Sequence, residues 1–372
     1  MRKALVVASI WPFFNFEKKD IILLQNLGYE VHCATNFEIG IDHEVKIDNI
    51  KRHQIDFSRS PFSIKTIKAF MQLNQLLREN DFSIVHCHTP VAGILTRIAA
   101  KKFRKKGMRV LYTSHGFHFY KGAPIKNWIM YYPIEKICSR YTDAIITINQ
   151  EDYELVCSRF KAQENIRIPG VGIDLNQFFQ EHSANDTMRS ELGIAKGNKI
   201  ILSVGEQNDN KNHRLIISSL AKLGDTNIHY VMAGSGEAEE RNRMLAKKLG
   251  IINQVHFLGY RTDIPRLDNV ADIFAFPSIR EGLGLAAIEA LACGTPVIGM
   301  NTRGINEYVK DDITGYLFCN DVDSCCEAIV KCLKLKDDTM LPVRCIEAAK
   351  KYDAQHTQLI MKSLYEKYSY TE

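Results

Sequence analysis

Glu281 and Glu289 stand eight residues apart in the segment Phe276–Val297, FPSIREGLGLAAIEALACGTPV. Gly282 and Gly284 build a turn between them, and the apolar pattern from Leu283 to Ala292 reads as a helix stopped by Gly294 and Pro296. Glycine lets a backbone approach a ligand closely, and the free N–H groups of a helix start attract an anion. A carboxylate can accept hydrogen bonds from two hydroxyls, which is what a sugar ring or a ribose offers. A solvated glutamate behind an ordinary helix start would give the same letters, so the segment alone points to a hydroxylated anion without fixing it.

Lys211 stands at a candidate helix start after the candidate strand Ile200–Val204. A cation is slightly unfavourable at a helix start, which weighs against a purely structural lysine. Gly234 and Gly236 follow the next strand and read either as a tight turn or as a close approach to a ligand. His86, His88, His115 and His118 lie at two strand ends of the first half. Residues two apart on a strand share a face, and no acid or cysteine at local spacing completes a donor set around His86-x-His88, so no metal is expected. His88 reads equally as a core histidine. Asp321-Val322-Asp323 has the form of an acid pair that chelates a metal–nucleotide, but it precedes the periodic segment Cys325–Leu333, where Asp is an ordinary helix cap. The first strand ends in SIWPFF rather than GxGxxG, which argues against a nicotinamide dehydrogenase.

These residues need a scaffold. Short apolar runs at Ala4–Ser9, Val31–Ala34, Ser83–Cys87, Arg109–Thr113 and Ala144–Ile148 alternate with helical patterns at Glu17–Leu27, Ile64–Arg78, Val91–Phe103, Lys126–Ser139 and Glu151–Phe160. Residues 165–178 (NIRIPGVGIDLNQF) carry no helical period and read as a linker. The alternation then restarts. Its strands are Ile200–Val204, His229–Ala233, Val255–Leu258, Ile273–Phe276 and Pro296–Gly299, and its helices are Asn212–Lys222, Glu237–Leu249, Leu283–Ala292 and Cys325–Leu333. Asp353–Tyr368 reads as a terminal helix. The expectation is an α/β chain of two doubly wound, Rossmann-like domains facing a central cleft. Residues 1–169 form the first, 170–352 the second, and 353–372 a helix crossing back to the first.

The 372-residue chain is 45% hydrophobic and 24% charged, which excludes disordered, collagenous and disulfide-framework classes. Its ten cysteines show no CxxC pair, as in a reduced, cytosolic protein. Arg2 and Lys3 precede an apolar run, but Pro12 interrupts it and no cleavage site follows, so a first strand is the better reading than a signal peptide. Net charge is +5, divided as +9 over residues 1–170 and −4 over the remainder. Lys101, Lys102, Arg104, Lys105 and Lys106 contribute to the basic half, either as a patch for an anionic membrane or as cations at a helix C-terminus. Trp11, Pro12, Phe13 and Phe14 could hold an acceptor or pack as core.

The two glutamates followed by ALACGTPVI resemble the signature of the retaining GT-B glycosyltransferases of family 4. So do PGVGID (Pro169–Asp174), SVGEQNDNKNH (Ser203–His213), VMAGSGE (Val231–Glu237) and VHFLGYRTDIPRLDNVADIFAFPS (Val255–Ser278). SIVHCHTP (Ser83–Pro90) and YTSHGFH (Tyr112–His118) match in the first half, and the set is similar to capsular and exopolysaccharide enzymes. The resemblance implies a metal-independent enzyme with no cofactor. It would move a sugar from a UDP-sugar (UDP-hexose or UDP-N-acetylhexosamine) to a saccharide or polyprenyl-diphosphate-linked acceptor, at the inner face of the cell membrane and without nucleic-acid partners. By that resemblance Lys211 binds the donor diphosphate, Glu289 both ribose hydroxyls and Glu281 the transferred sugar. Gly205 and Gly234 line the donor, the amides of Gly284, Leu285 and Ala286 face the phosphates, and the base lies against Gly259, Tyr260 and Arg261. His115 reaches the sugar. Glu206 stands where the family usually has an arginine, with Arg261, Arg280 and Arg303 as candidate replacements. A non-catalytic nucleotide-sugar-binding subunit and a sugar-nucleotide epimerase are the alternatives.

Overall fold

The computed structural model describes residues 1–39, 45–58, 65–181 and 185–369. Two compact units divide the chain: Met1–Val171 with Ala354–Glu372, and Gly172–Asp353. The first holds β1 (Lys3–Ile10), β2 (Glu30–Asn36), β3 (Ile50–Gln54), β4 (Phe82–His88), β5 (Arg109–Ser114), β6 (Ala144–Thr147) and β7 (Glu164–Arg167). They form one parallel sheet in the order β3-β2-β1-β4-β5-β6-β7. The second holds β8 (Lys199–Val204), β9 (Ile228–Ala233), β10 (Val255–Phe257), β11 (Ile273–Phe276), β12 (Val297–Met300) and β13 (Gly315–Phe318), ordered β10-β9-β8-β11-β12-β13 and again parallel. Both sheets follow the doubly wound order 3-2-1-4-5-6, so each has a switch point between its first and fourth strands. The α/β, Rossmann-like class expected from the sequence is the fold found.

Central strands are covered by helices on both faces, which is why β1 and β11 read as nearly continuous apolar runs. Three strands escaped the sequence pattern: β3, β7 and β13. All three are sheet edges. β3 and β7 have no fully buried residue, so burial never wrote an apolar run into IKRHQ or ENIR. The expected linker therefore gives up residues 165–167 to β7. Ile64, the expected start of the second helix, lies outside the described residues, and that helix is Lys65–Glu79. Asp321 caps the helix Val322–Leu335 by accepting the Ser324 N–H at 2.8 Å, so the acid pair serves as a cap.

The helix Ala354–Ser369 belongs to the first unit. Its Tyr365 is fully buried, with its hydroxyl 2.7 Å from His86 Nδ1 and 3.1 Å from Asp20 Oδ2. Burial, and then the charge of Glu17, push the Asp20 carboxyl up to about 8. The same unit buries one ion pair completely: Arg97 donates to Glu135 Oε2 at 2.7 Å and to the Gly93 carbonyl at 2.9 Å.

Candidate active site

In open parallel sheets, ligands sit beyond the carboxyl ends of the strands at the switch point. In the second unit that point lies between β8 and β11, and the residues gathered there are Gly205, Lys211, Glu281 and Gly284. Lys211 is aimed by its loop: Asn208 Oδ1 accepts its backbone N–H at 3.0 Å, and Asn212 turns the chain with φ +51°. Its Nζ lies 2.5 Å from Glu281 Oε1 and 4.7 Å from the Phe276 ring centre. The helix starts two residues later than the periodicity suggested, at Leu285, because Gly284 caps it with φ +86°. A Cβ on Gly284 would stand 2.6 Å from Phe276 Cε1 and 2.9 Å from Tyr308 Oη, so only glycine lets the turn close there. Tyr308 fixes the turn from below, donating to the Leu283 carbonyl at 2.9 Å. The N–H groups of Leu285 and Ala286 donate to no described residue, as at any first helical turn. A lysine ammonium and open amides at one turn make an anion site.

Glu289 lies one turn into that helix, and burial pushes its carboxyl up to about 7. Beside it the carboxyl of Asp268 is fully buried without a hydrogen-bond partner and is pushed well above the usual range, first by burial and then by the Glu289 charge. Gly234 (φ +137°) pairs with Gly259, its N–H 2.7 Å from the Gly259 carbonyl, and a Cβ on it would fall 2.0 Å from the Gly205 carbonyl oxygen. The ends of β8, β9 and β10 therefore meet through bare backbone. Tyr260 is exposed, and Asp263 holds Arg261 in a bidentate pair at 2.7 and 2.6 Å. Of the three candidate arginines, Arg303 is the one that reaches the turn: its Nε lies 3.3 Å from the Glu281 carbonyl oxygen.

In the first unit the switch point lies between β1 and β4. Ser9 and Thr89, at the ends of those strands, share a 2.7 Å hydroxyl contact. Trp11 and Phe14 are core; Trp11 packs on Phe14 and Phe37 at 5.1 and 4.9 Å. Phe13 instead lines a cavity of about 170 Å³ together with His115, Tyr112 and Tyr131. His88 is fully buried and His115 only partly so. Glu17, missed by sequence reasoning, joins them: donor atoms of Glu17, His88 and His115 all lie within 4.8 Å of one another, close enough for a metal ion. Local spacing could not reveal this acid, which arrives on the helix Phe14–Asn26 after a turn of the chain. Arg303 was named only as one of three, and the supporting Tyr308 left no sequence signal at all.

Two Rossmann-like units, each with polar groups at the switch point of its sheet, are the architecture that GT-B glycosyltransferases share with other nucleotide-sugar enzymes. Residues 5–149 match the family Glycosyl transferase 4-like, and residues 184–352 match Glycosyl transferases group 1. The putative glycosyltransferase EpsD of Bacillus subtilis is 37% identical over 314 residues, spanning 82% of this chain and 78% of that protein. The chain belongs to this glycosyltransferase family. The UDP-Gal:alpha-D-GlcNAc-diphosphoundecaprenol alpha-1,3-galactosyltransferase of Escherichia coli is 29% identical over 289 residues, 75% of this chain and 73% of that one. The crystal structure of Anabaena HepE in complex with UDP and glucose shares the fold, with a TM-score of 0.77, 19% identity, and coverage of 98% of this chain and 100% of that one.

Proposed function

We propose that this glycosyltransferase moves a sugar from a UDP-sugar, a hexose or N-acetylhexosamine, to a saccharide or polyprenyl-diphosphate-linked acceptor in surface polysaccharide synthesis, retaining the anomeric configuration and using no metal. The observation that carries this reading is the turn at Gly284: Lys211 Nζ and Glu281 beside the open amides of Leu285 and Ala286. The diphosphate rests on those amides and on Lys211, with Arg303 taking the place of the family's usual arginine. Glu281 meets the transferred sugar, Glu289 accepts both ribose hydroxyls, and the base lies against Gly259–Arg261. His115 accepts a hydroxyl of the sugar. The enzyme's part is then positioning and stabilisation of charge on the leaving diphosphate. The E. coli relative's diphosphoundecaprenol acceptor and the UDP bound in HepE support the choice of substrates.

Glu289→Ala is expected to weaken UDP binding at least tenfold by calorimetry, since hydrogen bonds to a charged group are worth about 1.5–3 kcal/mol. The ionised carboxyl is the stronger acceptor for both hydroxyls, so wild-type affinity should also fall as pH drops through about 7. Wild-type affinity in the variant contradicts the assignment.

A membrane-linked acceptor calls for peripheral contact. No helix among the described residues is long and apolar enough to cross a membrane. Lys101 and Arg104 are engaged by Tyr141 and Asp143, whereas Lys102, Lys105 and Lys106 are exposed. Ile125 and Ile129 are also exposed, on a helix that carries Lys126 and Lys136. With these exposed cations the protein should sediment with anionic vesicles at low salt and be released at high salt. No binding at low salt favours a soluble acceptor.

A further inference from the structure

The cavity beside His115 adjoins two others in the first unit. Phe13, Thr89, Pro90 and Tyr131 line both it and a second cavity of about 210 Å³, which has Ser9 and Ile10 at the end of β1 on its wall. Val91 and Tyr131 are shared in turn with a third cavity of about 140 Å³. This third one is a hollow between the helices Lys65–Glu79, Pro90–Ala100 and Ile125–Ser139. Ile94 and Leu95 of the middle helix, Met130 and Ile134 of the last and Thr66 of the first complete its lining.

The walls change character along this track. At the sheet end stand Ser9, Thr89, His115 and His118, beside the start of the helix Pro90–Ala100, whose dipole favours an anion. At the far end the walls are apolar. Ile94, Leu95 and Met130 are half-buried there and Ile134 is 39% exposed, so the hollow opens to solvent and is no gap in a closed core. Apolar surface continues outward along the last helix. At about 100° per residue, Ile125, Ile129, Pro133, Ile137, Met130 and Ile134 cover about half of its circumference. Ile125, Ile129 and Ile137 are exposed, and exposed Lys126 stands among them. Ile67 and Met71 are exposed on the helix that supplies Thr66. A soluble monomer seldom gathers so many large apolar groups on its surface without a use for them.

We propose that this hollow holds the first isoprene units of a polyprenyl-diphosphate-linked acceptor. The diphosphate and its sugar lie at the switch point between β1 and β4, and the rest of the chain leaves over Ile125 and Ile129 toward the bilayer. The proposal rests on the lipid-linked reading of the acceptor given above. A polyprenyl diphosphate joins a hydrophilic anion to a long branched hydrocarbon, and the track joins a polar end to an apolar end in the same order. A soluble saccharide would leave the apolar end unused. A phospholipid keeps its acyl chains in the bilayer and needs no hollow continuous with the His115 cavity.

The test is photolabelling of the full chain in detergent with a geranylgeranyl diphosphate that carries a diazirine on its second isoprene unit, the labelled residues being mapped by mass spectrometry. Labels should fall on Ile94, Leu95, Met130 or Ile134. Excess undecaprenyl diphosphate should suppress them at least tenfold, and phosphatidylglycerol at the same concentration should not. Ile134→Glu puts a charge on the partly exposed wall; it should lose labelling at least tenfold while keeping the wild-type urea midpoint. Labels scattered over the surface isoleucines, or absent from the hollow, overturn the proposal even if the variant does not fold. Equal suppression by phosphatidylglycerol marks a general membrane-facing patch and also overturns it. So does an unlabelled dimer that Ile134→Glu dissociates, which puts a second copy of the chain in the hollow. Calorimetry with UDP separates this proposal from the reading it rests on. A labelled hollow in a protein that does not bind UDP supports the lipid site and removes the transfer reading, whereas UDP binding with an unlabelled hollow removes the lipid site alone.

Discussion

Lys211→Ala is expected to lower kcat at least tenfold, about 1.4 kcal/mol of barrier. The loop that aims Lys211 is held by Asn208 and by a 3.0 Å contact between the side chains of Asn212 and Asn320, so the backbone keeps its place without the ammonium. What disappears is the positive charge at the Gly284 turn. Glu281 then faces the turn without the ammonium that lies 2.5 Å from it, and the diphosphate keeps only the amides and Arg303 to offset its charge. Charge grows on the diphosphate as the sugar departs, so the loss is greater in the transition state than on binding and appears in kcat more than in KM. Steady-state kinetics of the folded variant decide this, and turnover within twofold of wild type removes Lys211 from the mechanism.

Glu135→Ala is expected to destabilise the first unit by about 3–5 kcal/mol, because it leaves the Arg97 guanidinium buried without its counter-charge. Arg97 is fully buried, with its carbon 3.8 Å from the Tyr112 ring centre and its Nε bound to the Gly93 carbonyl, so it has no route to water. Removing both charges should cost far less: Arg97→Met with Glu135→Leu replaces the pair by apolar bulk. Both tryptophans, Trp11 and Trp128, lie in this unit, so fluorescence during urea unfolding reports on it alone. A midpoint unchanged in Glu135→Ala, or a double variant as weak as the single, contradicts this.

The sequence showed the fold where burial is two-sided. β1, β4, β5, β8, β9 and β11 are mostly buried, and each carries an apolar stretch that marks it. Edge strands β3 and β7 carry half that constraint and read as loop. In the second unit Lys211, Glu281, Gly284 and Glu289 were legible because they sit in local strand–turn–helix segments whose chemistry follows from the turn. The trio in the first unit was half legible. His88 and His115 end adjacent strands, but Glu17 looks like an ordinary helical acid until the fold sets it against them. Trp11, Phe13 and Phe14 show the same limit: three aromatics within four residues, of which packing buries two and turns one to the cavity.

The central claim is that a nucleotide diphosphate lies on the opening turn of the helix Leu285–Ala292. A crystal structure of the protein with UDP tests it directly. The account predicts phosphate oxygens within hydrogen-bond distance of the Leu285 and Ala286 amides and of Lys211 Nζ, with the ribose on Glu289. A nucleotide bound elsewhere while that turn stays unoccupied would contradict it.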